Sequence, residues 1–327
     1  MKQIANDIKN NEFKKTYLIY GEEDYLVKQY RDKLKVALVG DDTLNYAYYE
    51  GDSINIEDLI STCETMPFFS DRKTVIVENS NFFKKANDRI ADYIKKLPDY
   101  LVLIFIERDV DKRNKVYKAV NSIGYICEMT FQSTSVLKKW IGTLLKSKGI
   151  KITEEACEEI IMRTGANMDL IKMELDKLES YCANSMVVTI DDVCEIVTVQ
   201  TETNIFSMIE AIANHSQDKA LDLYYELLAN KEPPMRILYL IVRQFNGILQ
   251  VKELNGQHMS SKDIASAMKI APFIVGKYLT QSKNFTLKQI KEALSYFADI
   301  EENVKRGTLN DRMGVELAII KYSSERM

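Results

Sequence analysis

The chain has 327 residues, enough for two or three domains with sizeable cores. With 46% hydrophobic and 28% charged residues but only 12 glycines and 5 prolines, it is a helix-rich globular sequence rather than a disordered one. The net charge of −4 excludes a dominant basic footprint for nucleic acid, and the balance is uneven: 22 basic against 22 acidic residues over 1–140, 6 against 13 over 141–210, and 16 against 13 over 211–327.

Residues 1–140 alternate between β-like runs and helical patterns. Strands are predicted at Thr16–Tyr20, Leu44–Tyr49, Lys73–Glu78, Leu101–Glu107 and Tyr125–Met129, with helices at Tyr25–Leu38, Ile56–Met66, Ala86–Leu97 and Asn114–Ser122. The runs Val75-Ile76-Val77 and Leu101–Ile106 are continuously apolar, as strands covered on both faces must be. This alternation predicts a parallel sheet flanked by helices. Beyond Ser133 the β signal fades. Thr134–Lys148 reads as a helix joining two domains, Thr153 as the N-cap of a helix with Glu154 and Glu155 in its first turn, and Asn167–Ala183 as a helix with Leu170, Met173, Leu175 and Leu178 on one face. Thr189-Ile190-Asp191-Asp192 opens a third. Then come helices at Asp218–Asn230, Pro234–Leu254, Ser261–Met268, Phe273–Ser282, Leu287–Lys305 and Leu309–Tyr322, with Thr286 and Asn310 as N-caps and Gly256 and Gly307 at helix ends. The expected organisation is an α/β domain over 1–140, a small all-α domain over 141–210 and a second all-α domain over 211–327.

Cys63, Cys127, Cys157, Cys182 and Cys194 are scattered without a Cys-x-x-Cys pair, which argues for free thiols in a reducing cytosol. His215 and His258 stand apart from other ligand types, so no metal site is expected. The N-terminus lacks the apolar segment of a signal peptide and no run reaches membrane-span length, so a cytoplasmic, soluble protein is expected.

Three groups of residues bear on function. Thr16–Tyr20 runs into Gly21-Glu22-Glu23-Asp24 where a phosphate-cradling loop would open. Such a loop needs several glycines for backbone approach, a Lys for the phosphates and a Ser/Thr for Mg²⁺. Here one glycine is left, and three carboxylates occupy the positive helix end that an anion would seek. Glu78 and Glu107-Arg108-Asp109 close two strands as a water-activating acid would, but nothing positions a nucleotide beside them, and no other catalytic constellation is present.

Met66-Pro67-Phe68-Phe69-Ser70-Asp71-Arg72 is the second group. The helix before it must stop ahead of Pro67, and a strand begins at Lys73, so two phenylalanines lie side by side in a short loop. Adjacent side chains there point different ways and cannot both enter one core. Either they anchor the loop or they dock into a partner. Phe82-Phe83, followed by Lys84-Lys85 and a helix, is assigned to the core instead. The third group is basic: Lys112, Arg113 and Lys115, and Lys138 and Lys139 beside the only tryptophan, Trp140. These are candidate phosphate contacts, or simply solvated faces.

In the order and spacing of Tyr17–Leu26, Pro67–Lys73, Asp111–Lys118 and Arg312–Lys321, the chain resembles the delta subunit of the bacterial DNA polymerase III clamp loader. The resemblance spans nearly the whole chain. It implies an AAA+-like N-terminal domain without a working nucleotide loop, a lid-like helical domain, and a C-terminal helical collar for oligomerisation. It also implies a clamp-binding wedge at Phe68 and Phe69, flanked by Met66, Pro67 and Arg72. Pro67 and the second aromatic depart from the Leu-Phe form of some relatives, which changes the pocket fit but not the mode. The implied partners are the beta sliding clamp, the gamma/tau and delta-prime subunits, and primer–template DNA within the complex, with no membrane and no cofactor. No autonomous catalysis is implied; nucleotidyltransferase activity belongs to the DNA-directed DNA polymerase holoenzyme. The four-cysteine zinc module and Ser-Arg-Cys motif of the related loader subunits are absent from the sequence. Two alternatives are an active AAA+ ATPase with a degenerate loop, and a helical scaffold unconnected with replication.

Overall fold

The computed structural model describes residues 1–199, 201–270 and 272–324. Ala271 and the last three residues of the expected C-terminal domain lie outside the described residues. The chain divides into two compact units, Met1–Phe131 and Gln132–Met327.

In the first unit the order is α1 (Lys2–Asn10), β1 (Thr16–Gly21), α2 (Asp24–Val39), β2 (Tyr46–Glu50), α3 (Ile56–Glu64), β3 (Lys73–Glu78), α4 (Asp88–Ile94), β4 (Leu101–Glu107), α5 (Lys115–Ile123) and β5 (Tyr125–Met129). All five strands are parallel in the order β2-β3-β4-β1-β5, with Thr16 opposite Leu103 and Tyr17 opposite Tyr125. This is the α/β architecture expected from the sequence, a parallel sheet flanked by helices. Strands β1 and β4 are buried along their whole length because helices cover both faces. Phe83 packs edge-on against Phe105 at 5.1 Å, and Phe82 is buried with it, so this pair does belong to the core. Asn55, Asn87 and Asn114 cap α3, α4 and α5 through their side-chain oxygens.

Helix α1 is an addition to the expected elements. Its Ile4 and Asp7 are buried, and Asp7 accepts a 2.8 Å hydrogen bond from the Tyr17 hydroxyl, itself an acceptor for the Lys14 N–H at 2.8 Å. Burial is the main reason the Tyr17 phenol is held well above its usual range.

The second unit contains α6 (Thr134–Ser147), β6 (Lys151–Ile152), α7 (Glu154–Arg163), α8 (Met168–Tyr181), β7 (Val187–Val188), α9 (Ile190–Ile196), α10 (Thr201–Ala213), α11 (Gln217–Ala229), α12 (Pro234–Gly256), α13 (Ser261–Met268), α14 (Pro272–Ser282), α15 (Leu287–Lys305) and α16 (Asp311–Ser323). The region expected to be wholly helical carries a short parallel pair, Lys151 opposite Val187 and Ile152 opposite Val188. Helix α8 buries Met168, Ile171, Leu175 and Leu178 at heptad-like spacing, whereas Met173, expected on that face, is exposed. Helix α6 begins the second unit rather than ending the first, and α10 runs unbroken across residue 210. From Ile205 to Tyr322 one apolar cluster holds α10–α16 together, centred on Phe245, which contacts Phe285 and Phe297 at 5.4 and 5.2 Å.

Candidate functional site

Helix α3 ends at Glu64, and Thr65 is already extended ahead of Met66, the residue that Pro67 bars from the helical region. The connection to β3 carries both phenylalanines outward: Phe68 is 61% exposed and Phe69 95%, with their rings 4.3 Å apart, edge to face. Met66 at 77% and Leu44 at 76% are the exposed apolar neighbours in this region. Phe69 adopts φ +51, a left-handed conformation that costs a non-glycine residue about 1 kcal/mol or more.

The loop is not loose. Asn45, buried just before β2, accepts from the Phe68 N–H through Oδ1 at 2.6 Å and donates from Nδ2 to the Phe68 carbonyl at 2.9 Å. Asp42 holds that amide in turn, accepting from Asn45 Nδ2 at 2.8 Å and from the Asn45 N–H at 3.3 Å. These bonds keep the Asp42 carboxyl below the usual carboxylate range, the Asn45 side chain contributing most. On the other side of the rings, the Arg72 guanidinium donates to the Asn11 side chain and carbonyl at 3.0 and 3.2 Å and lies over the Phe13 ring. Lys73, buried, reaches back to the Thr65 carbonyl at 3.2 Å. Of these supports the sequence pointed only to Arg72. Asn45 lies 23 positions from Phe68 and no local pattern connects them.

The vestigial nucleotide loop is equally specific. Only Glu22 and Glu23 separate β1 from α2, so no loop remains to wrap a phosphate. Gly21 sits at φ +143 with the Met129 backbone so close that a Cβ would lie 2.1 Å from its carbonyl oxygen, and the Glu23 N–H donates to that same oxygen at 3.1 Å. Glu23 is buried at the N-cap of α2, with Asp24 in the first turn and Glu22 exposed. The strand-end acids are bound to structure. Glu107 accepts from the Ser80 N–H at 2.9 Å and its hydroxyl at 2.5 Å, and Glu78 pairs with Arg31 at 3.0 Å and accepts from the Tyr48 hydroxyl at 3.0 Å.

The sequence model described as "DNA polymerase III, delta subunit" matches residues 17–130, and that described as "DNA polymerase III delta subunit, C-terminal domain" matches 202–322. The chain belongs to the DNA polymerase III delta subunit family. Among curated relatives it is 27% identical to the DNA polymerase III subunit delta of Bacillus subtilis, over 97% of this chain and 95% of that one. It is 24% identical to the probable DNA polymerase III subunit delta of Aquifex aeolicus, over 78% and 75%. Among solved structures it matches the Bacillus subtilis DNA clamp loader delta protein with a TM-score of 0.80 and 25% identity, covering 98% of this chain and 99% of that one.

Within this delta-family chain, the first match contains the Phe68–Phe69 loop and the second begins where the α10–α16 cluster does. The basic candidates are mostly engaged with carboxylates: Lys112 with Glu128 at 2.9 Å, Arg113 with Asp111 at 3.0 Å, Lys115 with Asp88 at 2.8 Å, and Lys138 with both Glu154 and Glu158. Lys139 is exposed and Trp140 half-buried. Among the described residues no His, Cys, Asp and Glu side chains gather as a metal-ligand group, and no helix is long and apolar enough to cross a membrane.

Proposed function

We propose that this delta-family chain binds a beta sliding clamp through Phe68 and Phe69 and holds one clamp interface open for loading onto primed DNA. The observation that carries the reading is the outward display of two adjacent aromatic rings on a loop fixed by buried hydrogen bonds. Burying each ring in a partner's pocket is worth about 1.5–3 kcal/mol, and such paired aromatics act as hot spots. Binding of that strength to the open clamp alone shifts the clamp toward opening, since a ligand moves an equilibrium by its differential affinity. Met66, Pro67 and Leu44 form the apolar rim, and Arg72 fixes the loop's exit.

The rest of the proposal concerns assembly. The chain acts without a nucleotide of its own, and ATP on neighbouring gamma/tau subunits drives the cycle, with delta-prime completing the ring in the cytoplasm. Over α16, Met313, Leu317 and Ile320 form an exposed apolar stripe at helical spacing, suited to neighbouring collar helices. The division into an α/β domain, a small lid-like domain and a collar belongs to the same proposal. So does primer–template contact by Lys112, Arg113, Lys115, Lys138 and Lys139, because exposed ion pairs are worth less than about 1 kcal/mol and exchange readily for phosphate.

The test replaces both rings. Phe68→Ala with Phe69→Ala should weaken binding to purified clamp by roughly 100-fold or more, while assembly with the other loader subunits and the melting temperature stay unchanged. Clamp affinity equal to that of the unaltered chain sinks the wedge assignment.

A further inference from the structure

We propose that Asn45, braced by Asp42, is a positioning residue that aims the Phe68–Phe69 pair before any partner arrives. The inference rests on the wedge reading above and deepens it. Phe68 has both of its backbone polar groups taken by one side chain: its N–H donates to Asn45 Oδ1 at 2.6 Å, and its carbonyl accepts from Nδ2 at 2.9 Å. A two-point grip of this kind holds both peptide units that flank the Phe68 Cα, and so fixes the backbone from which the ring projects. Asn45 cannot swing away, because Nδ2 also donates to Asp42 at 2.8 Å and its own carbonyl accepts from the Thr74 N–H of β3 at 2.9 Å. The residue is buried, although it stands between exposed Leu44 and the outward rings.

The left-handed backbone at Phe69 is what this grip sustains. A phenylalanine at φ +51 is disfavoured on its own and persists only where its surroundings over-determine it. With Phe68 held on one side and Arg72 tied to Asn11 on the other, the short intervening chain is confined to that turn. The rings are thereby presented edge to face, 4.3 Å apart, in the free chain. Pre-setting a loop removes the ordering cost that binding would otherwise carry.

The experiment uses the full chain and its purified sliding clamp, with Asn45→Ala and, as a milder variant acting from outside the loop, Asp42→Ala. Amide exchange at Phe68 is measured beside exchange in strand β3, and clamp affinity is measured separately. The expected result has four parts: a Phe68 amide protected in the unaltered chain, unprotected in Asn45→Ala, unchanged protection in β3, and clamp binding about tenfold weaker, with Asp42→Ala intermediate. An unprotected Phe68 amide in the unaltered chain overturns the inference. So does clamp affinity that survives Asn45→Ala although the amide is freed, or that falls while the amide stays protected. Full affinity of the Phe68→Ala, Phe69→Ala chain removes the wedge reading itself, and this inference with it.

Discussion

Glu107 ends strand β4 where a catalytic acid would sit, yet its oxygens are turned onto Ser80. Burial raises its carboxyl above the ordinary range, and the Ser80 hydrogen bonds pull the other way without cancelling it. A raised carboxylate contributes its stability below the unfolded value and loses it as pH rises through the folded one, and the Ser80 hydrogen bonds favour the charged form against that loss. Ser80→Ala should therefore cost more at pH 7 than at pH 4.5, by up to about 2 kcal/mol for a charge-assisted bond. Urea unfolding at both pH values checks this; a cost that does not depend on pH means the hydroxyl serves only packing. The same residue shows what sequence reading could not supply. Glu107 at a strand end was legible, but Ser80, 27 positions away, becomes its partner only when β3 and β4 lie side by side.

Among the elements, α10, α12 and α14 are tied by a short buried chain of amides. Gln244 donates to Gln281 Oε1 at 2.8 Å, and Gln281 donates to the Phe206 carbonyl at 3.0 Å. Gln244→Leu leaves Gln281 Oε1 buried without its donor, a loss expected at about 1–3 kcal/mol. Gln281→Leu added to it should cost less than the sum of the two single changes, because no orphaned amide is left. Denaturant unfolding of the three variants decides the matter, and strict additivity would show the pair uncoupled. Periodicity located α12 to α16 well, helped at α13, α15 and α16 by the N-caps Ser260, Thr286 and Asn310, and the capping box of Thr286 with Gln289 is formed. It passed over α10, whose Ile205, Met208, Ile209 and Ile212 do mark one face. Helix α1 was missed because it is nine residues long, carries only Ile4 and Ile8 as large apolar side chains, and opens at Met1 without a side-chain cap.

Taken as a whole, the chain keeps Cys63, Cys127, Cys157 and Cys182 buried and Cys194 exposed. Burial pushes the Cys63 thiol up to about 12 and the Cys157 thiol to about 11, so neither forms appreciable thiolate at neutral pH. An aromatic disulfide reagent should label Cys194 rapidly in the native chain and the other four only on unfolding. Fast native labelling of Cys63 would place it at a surface and contradict the first unit's core. The class of fold follows from local order in the chain: strand positions, their β–α alternation and the missing phosphate loop are carried by near neighbours, and near neighbours set backbone periodicity and capping. The fate of Phe68 and Phe69 could not be read that way. Their adjacency posed a choice between anchor and docking pair. Outward display was resolved by the buried grip of Asn45, the tether of Arg72 to Asn11 and the left-handed turn at Phe69, because contacts between distant segments exist only once the sheet has brought those segments together.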